Sequence, residues 1–335
     1  MAQDSVRQDL TKKEALFNEV KGSLFEYLVA RNIAVLGNEE LNFLQSLDKN
    51  YLTVLSQQDR MVRQFYPEML PFLNAASLDT AKALSAYLKE TPSSPKVVGK
   101  FSNSSLSSEL HETDLMLGHN GKILSVSLKL NKKNAFVNTK SGGIKSFFSI
   151  YFPFLAGTYQ EEFNKFVDME FNRMSLELHS LHDLEYAGNF SNWLKAGLSE
   201  LPGELDNASR KILKSYYARI AQKMHTILTE AKKQNANEFG LSLLPLMGFS
   251  STEILQVIYF HEFPLTEAPL IDIHTSEEVS QELVSLSIKP FSEIASVEIE
   301  VGNWSLQIRV KPMNKFTTTA IKINCSIKVK RPSTF

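Results

Sequence analysis

Glu112, Asp114, Ser127 and Lys129 are residue types that do phosphoryl chemistry when they share a surface. Carboxylate and hydroxyl oxygens are hard ligands suited to Mg²⁺, and a neighbouring amine can orient or deprotonate a water for attack on phosphorus. Whether they share a surface depends on the turn between them. In ETDLMLGHNGKILSVSLKL the dipeptide Asn120-Gly121 signals a two-residue hairpin, because both central residues of a type I′ turn need positive φ. Counting outward from that turn sets His119 opposite Lys122, Met116 opposite Ser125, Asp114 opposite Ser127 and Glu112 opposite Lys129. Directly opposed residues share a sheet face. The four polar residues therefore fall on one side, and Leu115, Leu117, Leu124, Val126, Leu128 and Leu130 on the other, which must be core. A plain cross-strand ion pair between Glu112 and Lys129 on a solvated face, worth about 0.2–1 kcal/mol, fits the same pattern.

The elements that would hold this hairpin follow from periodicity. From Thr11 to Asn32, Leu16, Val20, Leu24 and Leu28 recur at helical spacing, which predicts an amphipathic helix. Residues 41–56 and 57–73 continue helically, interrupted by Pro67 and Pro71, and 78–89 read as another helix. TPSSP at 91–95 reads as a loop. Strands are expected at 96–102, 113–118, 122–130 and 134–140, in one antiparallel or mixed sheet. Helices return at about 158–182, 190–200 and 206–236, and from about Ile288 two alternating stretches, SVEIEVGNWSLQIRVKPM and TTTAIKINCSIKVK, read as strands. The expected class is α+β: a helical region over 1–90, a core sheet with a helical insertion over 91–260, and a β-rich C-terminal subdomain over 261–335. The aromatic run Phe147, Phe148, Tyr151, Phe152, Phe154 reads as a core helix. The pair His179 and His182, three apart, reads as a solvated helix face.

Composition is that of an ordinary globular chain: 335 residues, 43% hydrophobic, 22% charged, with a net charge of −1. The single Cys325 excludes a disulfide framework and cysteine-pair zinc sites, and it fits a reducing compartment. Mixed charges in the first thirty residues and the lack of a long apolar run predict no signal peptide, no membrane span and a cytoplasmic protein. The neutral total hides two basic segments. Residues 115–160 hold six lysines and no acid, and residues 301–335 hold seven cations and no acid. Lys132, Lys133, Lys140, Lys145, Arg309 and Lys311 are thus candidates for contacting phosphates of DNA. The bland alternative is a set of solvated strand faces whose acidic partners lie on other elements.

Asp114 before the hairpin and Ser127-Leu128-Lys129 after it resemble the active-site core of the PD-(D/E)XK nuclease superfamily, to which many type II restriction endonucleases belong. NEVKGSLFEYLVARNI resembles the first helix of such nucleases, where a glutamate, here Glu26, points toward the metal. NTKSGGIKSFF resembles the segment leading into the helix behind the catalytic sheet. The resemblance implies a restriction-endonuclease-like mixed sheet flanked by helices and a Mg²⁺-dependent endonuclease acting on double-stranded DNA, with a homodimer supplying two active sites. It gives Asp114 the metal, Glu26 the completing ligand, Lys129 the positioning of the nucleophile, Ser127 the weaker ligand and Glu112 a reserve carboxylate. Two departures stand out. Thr113 replaces the motif's proline, and Ser127 replaces its usual acid, so that Glu26 or Glu112 would have to supply the missing charge. The alternative implied by Ser127 is a DNA-binding or assembly protein that keeps the fold without the chemistry.

Overall fold

The computed structural model describes residues 2–98, 113–249, 254–261 and 270–330, with side chains from residue 16 onward. Helices α1 (Ala2–Leu36), α2 (Glu40–Ser46), α3 (Lys49–Phe65) and α4 (Met69–Leu88) come first. Strands β1 (Ser93–Val97), β2 (Leu115–His119), β3 (Lys122–Lys132) and β4 (Val137–Gly143) follow. Then come α5 (Phe147–Tyr151), α6 (Gly157–Leu181), α7 (Ser191–Lys195), α8 (Asn207–Gln234) and α9 (Ala236–Leu243). The chain ends with β5 (Ile254–His261), β6 (Leu270–Thr275), α10 (Ser276–Glu282), β7 (Ser287–Ile288), β8 (Ser296–Val301), β9 (Trp304–Pro312) and β10 (Ile321–Val329). The class is α+β with two separate sheets.

The chain divides into two compact units, residues 1–135 with 249–277 and residues 136–248 with 278–335. This grouping differs from the three consecutive spans expected from the sequence. β5 follows the whole helical stretch yet pairs parallel to β3, and β6 pairs with β5, so both belong with the N-terminal helices. β4 instead pairs with β10, which takes it out of the first sheet. Hydrogen-bonding partners, not nearness in sequence, decide the grouping.

The sheet of the first unit has the order β1-β2-β3-β5-β6, antiparallel throughout except for the parallel pair β3/β5. Asn120 and Gly121 adopt φ of 49° and 71°, as a type I′ turn requires. The register is the one counted from the turn: Leu115 opposes Val126, Met116 opposes Ser125, and His119 opposes Lys122. Leu115, Leu117, Val126, Leu128, Leu255, Val257 and Tyr259 form one face, packed against Val20, Leu24, Phe25 and Val29 of α1 and against Phe72, Leu73 and Ala76 of α4. β1 begins inside the segment that reads as a loop. It is an edge strand, where Pro95 lacks an amide donor without breaking an interior ladder. Pro71 lies in the first turn of α4, where backbone N–H groups have no helical acceptor anyway.

The sheet of the second unit has the order β4-β10-β9-β8-β7 and is antiparallel. Val297, Ile299, Leu306, Ile308, Val310, Ile323, Cys325 and Ile327 are buried on its apolar face, and α8 lies on β8 and β9. Phe147, Phe148, Phe152, Phe163 and Phe239 are buried, with ring centroids 5.1–5.8 Å apart in the pairs Phe147/Phe148, Phe148/Phe152, Phe148/Phe163 and Phe152/Phe239, so Phe147, Phe148 and Phe152 of the aromatic run are core. His179 corrects one expectation. Far from lying on a solvated helix face, it is fully buried on the apolar side of α6 among the rings of Tyr186, Phe190 and Trp193, and its Nδ1 lies 2.7 Å from the Ser175 carbonyl. No helix among the described residues is long and apolar enough to cross a membrane.

Candidate functional site

Asp114 stands one residue before β2 and is fixed by its own backbone. Its N–H donates to the Val126 carbonyl at 2.9 Å, and its carbonyl accepts from Val98 N–H at 2.9 Å. Its side chain then meets the partner strand just past the last register pair, Leu115 with Val126. Oδ2 accepts from the Leu128 N–H at 2.7 Å and from the Ser127 hydroxyl at 3.4 Å, with Lys129 Nζ 3.6 Å away. Ser127 is only 1% exposed, whereas the side chains of Asp114 and Lys129 are 21% and 22% exposed. The carboxylate and the amine can therefore be reached from solvent, and the hydroxyl lies beneath them. Partly exposed, the Asp114–Lys129 pair contributes about 1 kcal/mol or less to stability. Its chief effect is to hold the two groups side by side.

The neighbouring strands extend this patch with residues that the sequence pattern does not single out. Parallel pairing sets Gln256 of β5 beside Ser127, and antiparallel pairing sets His274 of β6 beside Gln256. One polar row thus crosses β3, β5 and β6 through Ser127, Gln256 and His274, with Asp114 beside its Ser127 end, and Gln256 is fully buried within it. The next row is Lys129, Ile258, Asp272. Only the long-range pairing of β3 with β5 reveals the row.

Glu26 lies on α1, which packs on the aliphatic face of the sheet, while Asp114, Ser127 and Lys129 belong to the other face. Its carboxylate acts on Tyr51 of α3, whose phenol is pushed up first by burial and then by Glu26. Glu112 lies outside the described residues. Among the described residues no three His, Cys, Asp or Glu side chains converge as a metal cluster. The hairpin's donor set is one carboxylate and one hydroxyl with a carboxamide on the next strand, all hard oxygens. That suits Mg²⁺, which often takes one or two carboxylates and completes its shell with substrate phosphates and water.

The basic candidates separate according to whether an acid already holds them. Lys145 is bound to Asp168 through both carboxylate oxygens, at 2.7 and 3.0 Å, so a phosphate would have to compete with that acid for it. Lys315 pairs with Glu200, and Lys330 and Lys289 pair with Glu300. Lys140 lies on β4. Arg309, Lys311 and Lys322 behave differently. Lys311 and Lys322 are register partners, Arg309 opposes Asn324 two residues along, and none of the three has an acid partner among the described residues. Lys311 is held below the usual lysine range, first by burial and then by the like charges of Arg309 and Lys322. Arg309 also donates to Gln307 Oε1 at 2.6 Å.

In the first unit, Lys132 ends β3 and Lys133 follows it. Beside Lys132, on the last residue of β5, stands His261, 8% exposed. Burial, with Lys21 and Lys132 adding like charge, lowers its imidazole from the ordinary 6.5 to about 4. As pH falls the unfolded chain therefore takes up this proton before the folded one does. The His261 contribution is complete above pH 6.5 and is lost as pH falls toward 4, by about 2–3 kcal/mol. Urea unfolding at pH 7.5 and 4.5 should show that much less pH-dependence in His261→Gln than in the parent. An equal dependence in both proteins would refute the assignment.

Comparison with known protein families, with curated proteins and with solved structures finds no match for this chain.

Proposed function

We propose that this protein is a Mg²⁺-dependent endonuclease that hydrolyses phosphodiester bonds of double-stranded DNA, built on a restriction-endonuclease-like core and working as a type II restriction enzyme. The observation that carries the reading is the convergence of Asp114, Ser127 and Lys129 on one face of the hairpin, with Lys129 Nζ 3.6 Å from the Asp114 carboxylate. A mixed sheet with helices packed on it supports the same reading. Asp114 would hold the metal, with the Ser127 hydroxyl and the Gln256 carboxamide as neutral oxygens beside it. Mg²⁺, when bound, supplies Lewis acidity and a more acidic water. Lys129 would orient the attacking water and offset charge on the scissile phosphate. A homodimer would bring two such sites to the two strands.

Supercoiled plasmid incubated with the protein and Mg²⁺ should become nicked and linear in discrete fragments, and EDTA should stop the conversion. Plasmid that stays supercoiled in Mg²⁺ and in Mn²⁺ while still being retarded in a gel would favour the second reading, a catalytically inactive DNA-binding or assembly protein. Ser127, neutral and buried where the family usually has an acid, is the feature behind that reading.

Arg309, Lys311 and Lys322 would grip the DNA backbone. If about six phosphates are neutralised in all, log affinity should fall with log salt at a slope of roughly −5. Changing Arg309 and Lys311 together to alanine should flatten the slope by about one to two units and weaken all sequences alike, since phosphate contacts position without specifying. An unchanged slope would mean that these cations face solvent or a protein partner.

A further inference from the structure

Lys132 and His261 occupy the carboxyl ends of the parallel strands β3 and β5 and are register partners there. The Lys133 N–H donates to the His261 carbonyl at 3.0 Å, which ties the two strand ends together. Lys132 shares parity with Leu128, and His261 with Val257 and Tyr259, so both belong to the face that α1 and α4 cover. Lys21 of α1 is close enough to act electrostatically on both. Phe72 of α4 sets its ring 4.9 Å from the imidazole. Lys132 is exposed and Lys21 half-buried, and neither has an acid partner among the described residues. Asp79 of α4 acts on the neighbouring Tyr259 phenol, while burial and the two lysines act on His261.

Two ammonium groups gathered in a partly buried place repel one another and disfavour a proton on the imidazole beside them. Burial, and then Lys132, already holds Lys21 below the usual lysine range. An anion seated among them would turn that repulsion into attraction, and the carboxyl ends of adjacent parallel strands are where open sheets place ligands. We propose that Lys21, Lys132 and His261 form a phosphate-binding site, on the opposite face of the sheet from Asp114 and Lys129, that takes a phosphate or phosphomonoester anion. Two fixed positive charges attract the anion in either protonation state, and the imidazole donates a third hydrogen bond once the anion lets it hold a proton. Free phosphate and the terminal phosphate of a nucleotide or nucleic acid share this chemistry. The site stands apart from the nuclease reading, since it needs neither metal nor cleavage.

The test is the imidazole Cε1–H resonance of His261 in the full chain, identified by its disappearance in His261→Gln. In chloride its midpoint should lie near the low value of about 4. Saturating inorganic phosphate at matched ionic strength should raise the midpoint by about one unit or more, and Lys132→Gln, an exposed and structurally mild change, should cancel most of the rise. Thymidine 5′-monophosphate reproducing the shift would extend the site to terminal phosphates of nucleotides, and inorganic phosphate acting alone would restrict it to the free ion. A midpoint identical in phosphate and chloride would overturn the proposal. So would a rise that survives in the Lys21→Gln, Lys132→Gln double variant, or a shift produced by the diester thymidylyl-thymidine and not by either monoanionic or dianionic phosphate. Plasmid cleavage plays no part in the readout, so a protein that fails to cut DNA can pass this test and one that cuts can fail it.

Discussion

Asp114→Asn should lower the rate of plasmid cleavage by about a thousandfold or more, the equivalent of about 4 kcal/mol of transition-state stabilisation. The change removes the charge that would hold the metal but little else. An asparagine carbonyl can still accept from the Leu128 N–H, and the side chain is 21% exposed and fills no core. Folding should therefore survive, with the melting temperature within a few degrees of the parent. Lys129→Ala should cost a similar factor for a different reason, because it removes the amine that sits 3.6 Å from the carboxylate. Ser127→Ala should be milder, since its hydroxyl meets Asp114 only at a long 3.4 Å. Initial rates of supercoil loss, with thermal melts of each variant, decide the matter. An inactive Ser127→Ala beside an active Asp114→Asn would reverse the roles.

The second large effect is on stability. Phe25 of α1 is 2% exposed and lies edge-on to Tyr259 at 6.3 Å, in the same cluster as Leu115, Leu117, Val126 and Leu128 of the hairpin. Phe25→Ala should cost about 3–5 kcal/mol, from the lost burial of the ring and the cavity left behind. Urea unfolding measures it directly. A loss below about 1 kcal/mol would mean that α1 does not clamp the aliphatic face. The variant should also weaken cleavage through the loosened hairpin, without the selective loss expected of Asp114→Asn.

The two effects sit on opposite faces of one hairpin, and that division is the part most legible in the sequence. Asn120-Gly121 admits one tight turn, the turn fixes the count, and the period of two sends Leu115 and Leu117 to the core and Asp114 to the other side. The α1 stripe was legible for the same kind of reason, through its four-residue spacing. What stayed hidden depends on pairing between distant segments. Nothing local says that Gln256 will lie beside Ser127, that Lys132 will meet His261, or that β4 will leave its sequence neighbours for β10. His179 misled because an imidazole can complete an apolar helix face when its Nδ1 has a carbonyl at hand. The charge runs were half legible. Residues 301–335 are basic in sequence, yet Lys315 and Lys330 are met by acids from Glu200 and Glu300, which leaves Arg309, Lys311, Lys322 and Lys328 without an acid partner among the described residues.

Anomalous scattering from crystals grown with Mn²⁺, a stand-in for Mg²⁺, tests the active-site assignment most directly. A peak about 2.0–2.2 Å from a carboxylate oxygen of Asp114 is expected, on the face shared with Ser127 and Lys129, and it should vanish in Asp114→Asn. Crystals in which Mn²⁺ occupies other positions and leaves Asp114 bare would contradict the assignment.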